Sequence, residues 1–235
     1  MQREDTKGIS TEHQKDELID RIAIFEGMDA ESRTLLKEMM EPLKVSKFQF
    51  IYHQGDTAQY LYLLVQGAVK IGSIHSDGRE IIKQILYPEA IFGELSVICE
   101  ERYNSYALTF NTDVQLYRVH ASDFRLLLQK CPGLHFNILS MIGRKLKHTE
   151  KRLESLIFKD ARERIVDFLK QNAEKHGMRV GYEMMFKHNF TQQDIANFTG
   201  TSRQTVTSVL NDLRKSNMIY FNRRSVLIRD MANLR

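Results

Sequence analysis

The chain has 235 residues, 42% of them hydrophobic and 27% charged. That is enough to bury one large or two small cores, and too evenly mixed for a disordered or collagen-like chain. Its longest uncharged runs, residues 57–69 and 131–143, have 13 residues each, short of the ~18 that a membrane span needs. The N-terminus is charged from Arg3 onward and lacks an apolar signal core. Cys99 and Cys131, the only cysteines, make no disulfide framework, no CxxC pair and no four-cysteine iron–sulfur cluster within one chain. The expectation is a cytosolic, cytoplasmic chain with no membrane partner.

Charge is unevenly divided. From Phe158 to the C-terminus there are 14 Lys+Arg against 8 Asp+Glu, whereas the preceding 157 residues hold 20 against 22. A basic C-terminal third behind a near-neutral remainder fits either a solvated basic surface or a domain that faces a polyanion.

In chain order, residues 1–18 are polar and read as a flexible N-terminus. A helical segment follows over about residues 19–40, with Ile22, Phe25, Leu35, Leu36, Met39 and Met40 at 3–4 spacing. From Leu43 to Val119 the period changes to two, as in Phe48, Phe50, Tyr52 and Tyr60, Tyr62, Leu64. Gly55-Asp56, Gly67, Asp77-Gly78, Pro88 and Gly93 punctuate these short runs. Many short strands of this kind read as a compact β-barrel or roll. Helical spacing returns near Ser122, where Ser122 and Asp123 read as an N-cap, and Pro132-Gly133 breaks that helix. Over residues 133–158, Leu139, Ile142, Leu146, Thr149, Leu153 and Leu156 recur at 3, 4, 3, 4, 3, the seam rhythm of a coiled coil. That seam predicts a homodimer, against the plainer alternative of an amphipathic helix on its own domain. A further helix carries Ile165, Val166, Phe168 and Leu169, and a loop with Gly177 and Gly181 follows it.

Residues 191–213 carry the most specific motif. Thr191 is placed to cap one helix and Ser202 a second. Ala196 is small where the helices cross, and Gly200 stands in the turn where a positive φ is needed. Val206, Val209, Leu210 and Leu213 give the second helix a buried face. This is helix-turn-helix spacing, and residues 218–228 around Asn222-Arg223-Arg224 read as a β-hairpin wing. Predicted DNA-binding residues are Thr191, Gln192, Gln193, Ser202, Arg203, Gln204, Thr207, Ser208, Lys215 and Arg223. Arg203 suits a bidentate pair with guanine and Gln204 one with adenine, while the helix N-terminus favours phosphate.

With these residues in view, residues 19–228 resemble the bacterial transcription regulators of the cyclic AMP receptor protein and fumarate–nitrate regulator family (CRP/FNR). Gly55-Asp56, Leu63 to Lys70, Asp77-Gly78-Arg79-Glu80 and Phe92-Gly93-Glu94-Leu95 match its cyclic-nucleotide-binding β-roll. Residues 146–153 match its dimer helix, and residues 191–196 with 200–206 match its reader. The resemblance implies an α+β fold in four parts: a flexible N-terminus (1–18), a cyclic-nucleotide-binding-like sensor roll of the double-stranded β-helix or jelly-roll kind (19–132), a dimerisation helix (133–158) and a winged helix-turn-helix (159–235). It implies an effector pocket at Gly93, Glu94, Leu95, Asn104, Ser105 and Thr149.

The chain departs from that pattern. Asn104 stands where nucleotide-binding members carry the phosphate-gripping arginine, and it supplies no cation. Arg102 lies two residues, ~6–7 Å, away along a strand. Glu89 replaces a turn glycine and disfavours an anion nearby. Two readings follow: an effector in the roll other than cyclic AMP, its identity open, or activity set without an effector, by abundance or a protein contact. A cyclic AMP-responsive regulator with an altered phosphate site is the alternative. Gln204 and Ser208 replace a glutamate and an arginine of the founding member, so a two-fold site with altered flanking bases is expected. RNA polymerase is an expected partner, through residues 100–103 (Glu100, Glu101, Arg102, Tyr103) or 178–188. His53, His75, His120 and His148 have no ligand-like spacing for haem. The absence of His-x-His, nucleophile-elbow, P-loop and dinucleotide motifs argues against a metal-dependent cupin or other enzyme.

Overall fold

The computed structural model describes residues 12–99 and 102–234. Contacts divide the chain into two compact units. The first takes the residues up to Leu146 apart from 80–82, and the second takes 80–82 with Lys147 onward.

In the first unit, α1 (Glu12–Arg21) starts inside the stretch expected to be flexible as far as residue 18. Leu18 and Ile19 are buried, and Lys15 donates to the Lys37 carbonyl at 2.6 Å, so these residues are anchored. The single helix expected over 19–40 is instead split. A 3-10 turn (Ala23–Phe25) and Gly27 at φ +75° end the first part. Asp29 then caps α2 (Ala30–Met39), accepting the Ser32 N–H at 2.8 Å.

Eight strands follow: β1 (Glu41–Val45), β2 (Phe50–Tyr52), β3 (Tyr60–Gln66), β4 (Val69–Ile74), β5 (Glu80–Leu86), β6 (Ile91–Phe92), β7 (Tyr106–Thr109) and β8 (Val114–His120). They form two four-stranded sheets, β1-β8-β3-β6 and β2-β7-β4-β5. Their alternating sequence pattern is that of an antiparallel sheet with one face in the core. In β3 the alternation fails, because Leu61, Tyr62, Leu63 and Leu64 are all buried. Both faces of that strand are covered, and α3 (Glu94–Ile98) packs on it.

α4 (Ala121–Lys130) is capped two positions earlier than the sequence suggested: His120 is the N-cap, and its ring accepts the Ser122 N–H at 3.3 Å. Pro132 separates α4 from α5 (Gly133–Phe158), a continuous helix of 26 residues. Leu134, Ile138 and Met141 bury its first turns in the first unit's core.

The second unit holds the rest of α5. α6 (Ala161–His176) opens with a capping box, Asp160 accepting the Glu163 N–H at 2.8 Å and Glu163 the Asp160 N–H at 2.9 Å. The loop expected around Gly177 and Gly181 is a hairpin, β9 (Met178–Val180) and β10 (Glu183–Lys187). Helices α7 (Gln192–Thr199) and α8 (Arg203–Lys215) follow, then β11 (Ile219–Phe221) and β12 (Ser225–Ile228). The sheet order is β11-β12-β10-β9, so the wing is four strands wide instead of the expected two. β9 and β10 carry no clear sequence signal, because each is short and β10 also pairs with β12 from about 40 residues downstream. Among the described residues no helix is long and apolar enough to cross a membrane.

Candidate nucleic-acid interface and effector pocket

The reading turn is built from local chemistry. Thr191 and Asp194 form a reciprocal capping box: Thr191 Oγ1 accepts the Asp194 N–H at 3.0 Å and Asp194 accepts the Thr191 N–H at 2.9 Å. Ala196 is fully buried. Gly200 ends α7 at φ +65° and ψ +42°, a left-handed conformation that side chains disfavour. Ser202 caps α8, accepting the Thr205 N–H at 3.0 Å.

Val206, Val209, Leu210 and Leu213 bury the inner face of α8. Arg203, Gln204 and Ser208 lie exposed on the other side, with Thr207 half-buried beside them. Thr207 donates to Gln192 at 2.6 Å and so ties the two helices together. Thr191, Gln193, Ser202, Lys215 and Arg223 are exposed and Gln192 half-buried. The residues named for DNA contact thus cluster on α7, the N-terminal half of α8, the end of α8 and the wing turn. In that turn Asn222 Oδ1 accepts the N–H groups of Arg224 and Ser225 at 2.8 and 2.9 Å, which presents Arg223 and Arg224 outward.

Three supports of this reader carry no local sequence signal. Arg164 on α6 donates to the Thr199 carbonyl at 2.9 Å and to Gly200 at 3.3 Å. Arg152 on α5 donates to the Phe198 carbonyl at 2.7 Å, with its guanidinium 4.7 Å from the Phe198 ring centre. His188 sits buried beneath the wing between Phe190 and Phe221, stacked on both rings at 5.7 Å. Its backbone N–H donates to the Arg224 carbonyl at 2.8 Å, and burial holds the imidazole pKa below its usual value.

Along α5 the seam is largely open. Leu139, Leu146, Leu153 and Leu156 are 66%, 58%, 58% and 48% exposed, and Thr149 is exposed too. Ile142 departs from the expected line, being half-buried against the first unit's core. Phe136 (75%) and Ile157 (65%) extend the exposed apolar stripe beyond the residues first named, and exposed Gly143 leaves it locally thin.

In the first unit Gly93 adopts φ +81° at the start of α3, and a Cβ there would come within 3.1 Å of the Tyr60 carbonyl. Glu94 is 1% exposed and is ion-paired with Lys145 of α5. Leu95 is partly exposed. Asn104 is exposed and its amide oxygen accepts the Ser105 hydroxyl at 2.9 Å, while Ser105 itself is buried. A cation from another strand stands beside this pair: Lys83 of β5 donates to Ser105 Oγ at 2.8 Å and to the Asn104 carbonyl at 3.1 Å. Burial pulls the pKa of this ammonium down. The ring of Tyr103, the residue before Asn104, is 3.4 Å from the place of a Cβ on Gly93. Thr149 falls in the other unit. Glu89 adopts φ +73°, the conformation that a glycine suits, and pairs with Arg21 at 3.5 Å. Glu100 and Glu101 lie outside the described residues. No group of three or more His, Cys, Asp or Glu that could hold a metal occurs among the described residues.

Residues 42–131 match the cyclic nucleotide-binding domain family, and residues 163–235 match the Crp-like helix-turn-helix domain. A CRP-like cAMP-activated global transcriptional regulator of Mycobacterium tuberculosis is 31% identical over 219 residues, 93% of this chain and 97% of that protein. A global nitrogen regulator of Synechococcus elongatus is 31% identical over 192 residues, 80% of this chain and 86% of its own. The c-di-GMP responsive global regulator CLP of Xanthomonas campestris shares the fold, with a TM-score of 0.74 at 21% identity over 85% of this chain and 99% of that chain. The chain therefore belongs to the CRP/FNR family of DNA-binding transcription regulators.

Proposed function

We propose that this protein is a cytoplasmic, homodimeric regulator that reads a two-fold symmetric DNA site under the control of an effector in the roll. The observation that carries the reading is the polar outer face of α8. Arg203, Gln204 and Ser208 stand exposed at its N-terminal half, opposite a fully apolar inner face. Phosphate neutralisation by the basic wing and α8 C-terminus starts binding and makes it salt-dependent. Arg203 on guanine and Gln204 on adenine then specify sequence in successive major grooves about one helical turn apart. The open leucine stripe of α5 supplies the dimer contact, and small changes in its packing reorient the two readers.

The effector is other than cyclic AMP, because the cation beside Ser105 is Lys83, which donates to Ser105 Oγ and the Asn104 carbonyl. A lysine offers a point charge on a flexible stem, not the planar fork that grips a phosphodiester bidentately. The M. tuberculosis relative is named as cAMP-activated, but its activation does not transfer to a pocket whose arginine position holds Asn104. At a hundred times its Kd a bound ligand adds about 2.7 kcal/mol of stability. Cyclic AMP is expected to leave the melting temperature unchanged, and a saturable rise overturns this part of the reading. RNA polymerase is the proposed partner, through exposed Arg102 or the β9–β10 hairpin, since Tyr103 of the expected 100–103 loop is buried and stacked on Tyr52.

A mobility-shift titration tests the DNA assignment. Arg203→Ala should cost ~1–3 kcal/mol on a site with its guanine and little on a guanine-substituted site. Arg223→Ala should weaken binding to all sites alike and reduce the salt slope by about one. Equal loss on both sites for Arg203→Ala refutes the assignment.

A further inference from the structure

The last carbonyls of a helix have no partner within it, and a cation at that end is favoured by the dipole. In α7 the three successive carbonyls of Phe198, Thr199 and Gly200 are all taken by guanidinium groups, Phe198 by Arg152 and the other two by Arg164. The two arginines come from different helices. Arg164 is on α6, and its remaining donor reaches the Lys159 carbonyl at 2.7 Å. Arg152 is on α5, next to the exposed stripe residue Leu153 and one turn before Leu156, and the nitrogen that reaches Phe198 also donates to the Ile82 carbonyl of β5 at 2.6 Å. Leu156 itself faces the turn, its Cδ2 lying 3.2 Å from the place of a Cβ on Gly200. Arg152 and Leu156 therefore sit where the proposed dimer stripe meets the reading turn, and the planar guanidinium also covers the Phe198 ring.

We propose that Arg152 is a positioning residue that fixes the angle between α5 and the reading turn and so determines the half-site spacing that the dimer accepts. This rests on the dimeric, two-half-site reading above. Arg152 touches no base. It acts through α7, because a turn held to α5 by a stacked, hydrogen-bonded guanidinium carries α8 along with the dimer axis. One inserted base pair rotates one half-site against the other by about 35°, a misfit that a rigid clamp does not absorb. Arg164 holds the same turn to α6 and to the Lys159 carbonyl just past the end of α5, but it grips the turn from outside α5 and does not stack on the Phe198 ring.

The test compares wild type, Arg152→Met, Arg152→Lys and Arg164→Met on one inverted repeat and on versions lengthened or shortened by one base pair, with thermal melts and dimer mass recorded for each. Wild type is expected to prefer its own spacing by about tenfold or more, the scale of one mismatched base pair. Arg152→Met is expected to lose affinity for the preferred spacing and bind the three sites within about threefold of one another. Arg152→Lys keeps one donor but no planar stack and is expected to fall between the two. Arg164→Met is expected to lose affinity at all three spacings with the preference intact. A folded, dimeric Arg152→Met that keeps the wild-type preference overturns the inference, as does an Arg152→Lys that keeps it in full if the methionine variant does not fold. If wild type binds none of the three sites above a random duplex, the dimeric DNA reading falls, and the inference falls with it.

Discussion

The dimer stripe on α5 makes a quantitative prediction through Leu146→Asp. Leu146 is 58% exposed in the single chain, so the substitution removes little from the protomer's own core. An aspartate inside a helix costs no more than about 0.7 kcal/mol in propensity. Fully burying a leucine contributes about 1.5–3 kcal/mol, so covering its remaining 58% contributes about 0.9–1.7 kcal/mol per copy and about 1.7–3.5 kcal/mol per dimer. The dissociation constant of the dimer should then rise by about 20- to 400-fold, and more where the two new carboxylates face each other. Sedimentation equilibrium reads the constant, and far-ultraviolet circular dichroism confirms that the protomer stays folded. DNA affinity at concentrations below that constant should fall with it. A dimer constant within threefold of wild type, with unchanged DNA affinity, refutes the assignment of this stripe as the dimer contact and coupling element.

Gly200→Ala places a side chain in the left-handed region at φ +65° and brings its Cβ within 3.2 Å of Leu156. The backbone cost is about 1–2 kcal/mol, and urea melts of the reader should show a loss of that size, whereas an unchanged midpoint contradicts the turn's strain. Burial lowers the pKa of His188, and partial desolvation with neighbouring cations (Lys175 for both, Arg152 and Lys151 for His148) lowers those of His148 and His176. The unfolded chain takes up these protons near pH ~6.5, so their contribution to stability is complete above that pH and is lost as the pH falls towards the depressed folded values. Thermal melts from pH 7.5 down to 5.5 should show falling stability, and His188→Phe should flatten that fall. An unchanged pH slope in that variant removes His188 as a source.

The parts of the fold legible in the sequence are those whose causes are local. Thr191, Ala196, Gly200 and Ser202 each act within a turn or two of chain, and the reader they specify is where the motif spacing put it. The leucine stripe of α5 is likewise a matter of period, except at Ile142, which the roll's core takes up and which only three-dimensional packing distinguishes. Features made by remote partners left no such trace. Arg152, Arg164 and Lys83 act on groups 46, 35 and 22 positions away, and Lys145 meets Glu94 across 51. β9 and β10 are too short to show a period. Asn104 supplies no cation by its chemistry, and that Lys83 of β5 reaches its carbonyl is seen only in the folded chain.

The central claim is sequence-specific reading of a two-fold site by α8, and a binding selection from random-sequence duplex DNA with purified dimer tests it most directly. The account predicts enrichment of an inverted repeat whose half-sites lie about one helical turn apart, each with a guanine that Arg203→Ala no longer enriches. If the protein needs its effector, the repeat should emerge when extract metabolites are added. Enrichment of no repeat under either condition, or of one that Arg203→Ala enriches equally, contradicts it.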